Sequence, residues 1–350
     1  MKVLRTAVVG LGRIGWQFHL PAIRDHEGFL LVGVVDPLGE RRQEALAEFG
    51  APGYADLDAC LAQARPDLVV IASPTPLHGE QALAAFAAGA DVFCDKPMAG
   101  TLAEADRMVE GARAAGRRLM VYQPHRGSRE VVALRQILAR DLIGPIYLIK
   151  NRRTLYARRN DWQAFRAHGG GMLNNYGAHH IDACLHVAGS RARHVTCYLR
   201  TVASLGDADD VVKALIETES GVLLDIDINM ATAHAMVPRW HVIGERGSLV
   251  LGDDEVWRAR YFLPGELQAV ALQEGFAAAA RRYGSGEQIP WREEDFPCAA
   301  AEPVDYYGRC HDYFAGGGEP FVPVAESREL MRVLDACRRD HEARQGGPGA

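Results

Sequence analysis

Two residues of this 350-residue chain could hold a negative charge or move a proton at a reacting centre. Lys96 stands in Phe93-Cys94-Asp95-Lys96-Pro97, just past an apolar, strand-like run. An ammonium at the rim of a partly desolvated pocket can donate to a substrate oxygen and stabilise charge developing there. Pro97 restricts the backbone before it and so helps aim Lys96, and the bond between them is one where a cis peptide can occur. The second residue is His179, in Gly169-Gly170-Gly171-Met172-Leu173-Asn174-Asn175-Tyr176-Gly177-Ala178-His179-His180-Ile181-Asp182. Asn175 is four positions earlier, so helical spacing puts it on the same face, with Asp182 and His186 further along. A neutral imidazole beside a hydroxyl is a good general base near neutral pH.

Both residues need a scaffold, and the chain begins with one. Thr6–Val9 runs into Gly10-Leu11-Gly12-Arg13-Ile14-Gly15. The first glycine allows a sharp turn, the second removes a Cβ from the path of a pyrophosphate, and the third lets the next helix pack close. The amides of that helix's first turn, around Arg13 and Ile14, then point at phosphates. Asp36 ends the next apolar run, Phe29–Val35, where a carboxylate accepts from both ribose hydroxyls of a dinucleotide. It would also repel a 2′-phosphate, which favours NAD over NADP. Arg41 and Arg42 follow closely and read as the exposed start of a helix.

Up to Val121, short apolar runs (Leu68–Ala72, Asp91–Cys94, Leu119–Val121) alternate with helical stretches such as Leu38–Phe49, Leu57–Ala64, Leu77–Ala88 and Leu102–Ala115. This predicts βαβ units and a doubly wound parallel sheet, with Thr101 capping the last of these helices. Ligands of such sheets sit at the carboxyl ends of the strands. Ser73, Thr75 and His78 are therefore expected to border a nicotinamide ribose, and Gln123, His125 and Arg126 to reach cofactor or substrate. Beyond Tyr122 a helix near Asn174–Val187 precedes alternating strands, for example Leu224-Asp225-Ile226-Asp227-Ile228, which predict a large, mostly antiparallel open sheet. Loops with short helices are expected over 264–303 and a last helix over Ala325–Arg344. The expected division is a dinucleotide-binding domain over 1–122, a substrate and oligomerisation domain over 123–344, and a disordered tail over 345–350. Trp162 could stack on an apolar sugar face, and Asp161, Gln163 and Arg166 could bond hydroxyls.

The formal charge of −6, without a sustained basic stripe, argues against nucleic acid as a partner. No apolar run reaches the length of a membrane span, and the first apolar segment is too short for a secretory leader. Seven cysteines without C-x-x-C spacing suggest reduced thiols in a cytoplasmic protein and no metal site.

Gly10-x-Gly12-x-x-Gly15, Asp36, Asp95-Lys96-Pro97 and the glycine triplet with Gly177-Ala178-His179-His180-Ile181-Asp182, in that order, resemble the Gfo/Idh/MocA oxidoreductase family over roughly residues 4–250 and the final helix. The resemblance implies a Rossmann domain followed by an α/β domain whose open sheet mediates contacts in a homodimer or homotetramer. It also implies NAD or NADP and a sugar or polyol substrate. Lys96 matches the lysine of the family's E-K-P motif, with Asp95 in place of glutamate, and His179 matches the acid/base histidine. Asn175 stands where the family usually has aspartate, so no carboxylate is held beside His179, which should be less basic than in its relatives. The implied reaction is hydride transfer between nicotinamide and a secondary hydroxyl, with Lys96, Asn175 and His179 catalytic and Lys96, Arg126, Trp162, Asn175 and His179 touching substrate. The implied cofactor ligands are Gly10, Gly12, Arg13, Ile14, Gly15, Asp36, Ser73, Thr75, His78, Asp95, Lys96 and Gln123. Two alternatives would use the same residues: a glycosidase or lyase that recycles bound NAD, and a non-catalytic NAD-dependent sensor.

Overall fold

The computed structural model describes residues 2–272, 274 and 287–345. Six strands, β1 (Leu4–Val9), β2 (Phe29–Val35), β3 (Gly53–Tyr54), β4 (Leu68–Ile71), β5 (Asp91–Cys94) and β6 (Leu119–Val121), form a parallel sheet in the order β3-β2-β1-β4-β5-β6. Every residue of β4 and β6 is buried, as unalternated apolar strands require when helices cover both faces. Those helices include α1 (Leu20–Arg24), α2 (Gly39–Phe49), α3 (Leu57–Ala64), α4 (His78–Ala87) and α5 (Leu102–Ala114). The chain reverses direction across the sheet between β1 and β4, which opens a crevice at their carboxyl ends. At the start of α5, Thr101 Oγ1 accepts the Glu104 amide and the Glu104 carboxylate accepts the Thr101 amide, a reciprocal cap.

After α6 (Arg129–Leu138) come β7 (Ile146–Thr154), α7 (Ala178–Ala188), β8 (Ala192–Arg200), β9 (Val211–Thr218), β10 (Leu223–Asn229), β11 (Trp240–Gly244), β12 (Gly247–Leu251), β13 (Val256–Tyr261) and β14 (Arg292–Pro297). These strands form one sheet, ordered β14-β13-β12-β11-β7-β10-β9-β8, in which only the β7–β10 pair is parallel. One face packs against α7 and α9 (Val324–Gln345). On the other, Lys213 pairs with Asp225 and Asp227 across neighbouring strands.

The pattern expected over 264–303 gives way to an edge strand. β14, Arg-Glu-Glu-Asp-Phe-Pro, lacks apolar alternation because an edge strand can carry charge on its exposed positions. β3, with two residues, is too short to show any period. α8 (Tyr306–Gly316) returns to the first sheet. Its Tyr307, Cys310 and Phe314 pack with Leu4, Val8, Phe93 and Met120 of the first sheet. Gln345 lies in α9 rather than opening a tail, and the tail expected over 346–350 lies outside the described residues. No helix among the described residues is long and apolar enough to cross a membrane.

Candidate active site

The glycine loop builds the wall of the crevice. A Cβ at Gly10, where φ is +92°, would lie 2.6 Å from the Ser73 amide nitrogen, so the loops after β1 and β4 touch backbone to backbone. A Cβ at Gly15 would lie 2.0 Å from the Gly10 carbonyl oxygen, so the helical turn following the loop packs directly on it. A Cβ at Gly12 would meet nothing within 4 Å, because that position faces the open cleft. Asp36 is buried at the end of β2. Its Oδ2 accepts the Leu11 amide at 2.9 Å and an Arg41 N–H at 3.2 Å, and its Oδ1 accepts the Leu38 amide at 3.0 Å. Arg42 turns to the Asp36 and Pro37 carbonyls.

The cleft extends from Asp36 to Lys96, with a volume of about 910 Å³. Gly10, Gly12, Arg13, Ile14, Ser73, Thr75 and Asp95 line it, as do Trp162, Asn175 and His179 from the second half of the chain. These features fit a dinucleotide: open space at Gly12, a carboxylate at one end and a cation at the other. The Lys96–Pro97 bond is cis. Lys96 Nζ donates to the Asn175 carbonyl at 2.8 Å and to Asn175 Oδ1 at 3.2 Å, and Asn175 Nδ2 donates to Gln163 Oε1 at 3.2 Å. An ammonium has three N–H donors, so one remains for a substrate oxygen.

Burial pushes the Lys96 ammonium down to about 8; Asp95 opposes this, while the guanidinium groups of Arg13 and Arg159 add to it. His179 is lowered well below the ordinary imidazole value by burial, reinforced by Lys96, His125 and His180. It therefore stands neutral at pH 7, in the form that accepts a proton. Asn175 lies in a wide helical turn, Leu173–Gly177, that runs into α7. Past His179 the expected common face turns away from the cleft: Asp182 meets Arg126, and His186 meets Arg135 at 2.8 Å.

Over residues 4–123 the chain matches the family described as an oxidoreductase family with an NAD-binding Rossmann fold, and over 131–250 it matches the GFO/IDH/MocA C-terminal domain. The chain belongs to the Gfo/Idh/MocA oxidoreductase family. It is 31% identical to an inositol 2-dehydrogenase of Streptomyces avermitilis, with 72% of this chain and 73% of the relative covered. It is also 31% identical to the D-glucoside 3-dehydrogenase of Escherichia coli, over 53% of this chain and 54% of that one. The fold is shared with an NAD-binding protein from Listeria innocua, with a TM-score of 0.82 and 24% identity, over 98% of this chain and 96% of that one.

In this Gfo/Idh/MocA oxidoreductase four expected ligands stand outside the cleft lining. Gly15 serves the packing just described. His78 is buried, its Nε2 2.8 Å from the Ser73 carbonyl and its Nδ1 3.1 Å from the Pro97 carbonyl, so it ties the loops after β4 and β5 together. Gln123 is buried, and its backbone N–H donates to the Tyr306 hydroxyl of α8 at 2.8 Å. Arg126 is engaged in a buried ion pair. Its side chain is 2% exposed and grips Asp182 through two bonds, at 2.7 and 2.6 Å, and it also pairs with Glu326. Burial works against its charge, and the two carboxylates outweigh that and raise its pKa. It fastens the turn after β6 to α7 and α9 and so holds the helix that carries His179.

Arg166 also stands outside the lining, bonded to Asp207. Asp161 and Gln163 line the cleft, and so does Arg159, which donates to Asp161 at 2.8 Å. Ala55, Asp56 and Leu57, just past β3, line its far end. Their sequence signal was hidden because the strand positioning them is two residues long.

Proposed function

We propose that this oxidoreductase transfers a hydride between the nicotinamide of NAD and a secondary hydroxyl or ketone of a sugar, cyclitol or related polyol. The observation that carries this reading is the meeting of Lys96, Asn175 and His179 in the same cleft as the glycine loop and Asp36. Bound nicotinamide supplies the hydride acceptor. The free N–H of Lys96 binds the substrate oxygen and stabilises the negative charge it gains as its proton leaves. His179 takes that proton on Nε2, its Nδ1 being buried. Asn175 holds the Lys96 ammonium through both of its oxygens and transfers no proton itself. Trp162, at the cleft mouth, offers a flat face to a sugar ring. A panel of sugars and cyclitols with NAD and NADP tests the proposal. Net NADH should accumulate in proportion to product, and product without net NADH would mean that the cofactor is recycled.

Two further outcomes follow from the geometry. Asp36 sits where a 2′-phosphate would meet a buried carboxylate, so the wild-type protein should prefer NAD. Asp36→Ala should weaken NAD binding about tenfold to hundredfold, the range for a lost charged hydrogen bond, and narrow the gap to NADP. Fluorescence titration with both reduced cofactors reads this, and an unchanged preference would place the discrimination elsewhere.

The pH dependence of alcohol oxidation has its sign set by the two site groups. Lys96 acts protonated, so kcat/KM should fall as pH rises through about 8. His179 acts neutral and its pKa is depressed, so the acid limb should lie well below pH 6.5. Lys96→Arg should move the alkaline limb upward. An alkaline limb unmoved by that substitution would assign the ionisation to another group.

A further inference from the structure

A general base normally needs a partner that fixes the plane of its ring and the nitrogen it presents. In triad-like sites that partner is a carboxylate on the second ring nitrogen. Among the described residues His179 Nδ1 is buried without a hydrogen-bond partner, while both Asn175 oxygens accept from Lys96 and its Nδ2 donates to Gln163. What does meet His179 is another imidazole. The His125 ring lies parallel to it, with centroids 4.1 Å apart and planes 13° apart. His180 meets His125 edge to face, with centroids 5.6 Å apart. His125 is held on the short turn Pro124–Gly127, whose next residue is Arg126, locked to Asp182 on the helix bearing His179. Both partners of the stack are thus anchored through one buried ion pair.

We propose that His125 is the positioning residue of His179: its flat face, in place of a carboxylate, fixes the plane of the base and keeps its surroundings dry. This rests on the hydride-transfer reading of the same site. Two consequences distinguish it from a carboxylate orienter. The stack supplies no negative charge, so it does not raise the basicity of His179. It also needs only a flat ring, so a phenyl group can replace the imidazole. The charged and titratable groups bearing on the pair are Lys96, Arg153 and His180, with Arg239 bearing on His180. All are cations or imidazoles, and burial with these neighbours lowers His125 to about 4, so both stacked rings are neutral at working pH.

The test compares His125→Ala, His125→Leu and His125→Phe in the full-length protein. Alanine and leucine remove the flat face and should lower kcat at least about tenfold, because misplacing a catalytic group by an ångström can cost about a hundredfold. The KM for the alcohol and the Kd for NADH should stay within about twofold. Phenylalanine should retain kcat within about threefold. Water entering beside His179 in the alanine variant should move the acid limb of kcat up toward pH 6.5, and the phenylalanine variant should keep it low. NMR titration of the His179 ring in the NADH complexes reads the same shift without turnover. A wild type that oxidises no alcohol would therefore defeat the functional reading, while the imidazole titration would still decide this one. The proposal is overturned if the alanine variant keeps its kcat, if phenylalanine fails as badly as alanine, or if the His179 titration is the same in all three variants and the wild type.

Discussion

Lys96→Met lowers turnover of the alcohol substrate about a hundredfold to a thousandfold, the cost of removing one preorganised donor from a developing oxyanion. His179→Ala lowers it about a hundredfold to ten-thousandfold, the range for a lost general base. In both variants NADH should bind nearly as before, because the proposed reading assigns the phosphates to the glycine loop and the adenosine ribose to Asp36. The two losses should not add. On the proposed mechanism Lys96 would stabilise the alkoxide that His179 creates, so removing either partner would leave the other little to act on. Steady-state kinetics with NADH fluorescence titration on the two single variants and the double variant measures all of this. Full turnover in both single variants would remove the acid/base assignment altogether.

Arg126→Met should cost about 3–5 kcal/mol of folding stability, since it strands the buried Asp182 carboxylate without its cation. Asp182→Asn in the same chain should recover a large part of that loss by removing the stranded charge. Chemical denaturation of the two single variants and the double variant reads the cycle. The outcome also separates two roles for Arg126. A stability loss with turnover retained per folded molecule fits a brace under α7. Unchanged stability with a raised KM would return Arg126 to the substrate.

What the sequence made legible was whatever local chemistry dictates. The glycine loop could be read because three glycines at that spacing each serve a separate steric purpose: close packing is visible at Gly10 and Gly15, and Gly12 stands in open space. Lys96 was legible because it ends a buried strand and precedes a proline, and His179 because it follows the glycine triplet on a helix. In sequence, a cation after a strand at the carboxyl edge looks the same whether it faces a ligand or, as Arg126 does, a buried carboxylate 56 residues away. The stack of His125 on His179 joins a turn of the first half to a helix of the second, and no local pattern reports such a pairing. α8 was hidden by its composition: glycines at 308 and 316 and several aromatics weaken helix propensity, and packing against the first sheet overrides it.

A crystal structure of the protein with NADH and a poorly reactive sugar or cyclitol analogue tests the geometry itself. One hydroxyl of the analogue should lie within hydrogen-bond reach of both Lys96 Nζ and His179 Nε2, with its carbon about 3–3.5 Å from nicotinamide C4. A nicotinamide ring turned away from that pair, or an analogue seated with no hydroxyl touching either side chain, would contradict the account.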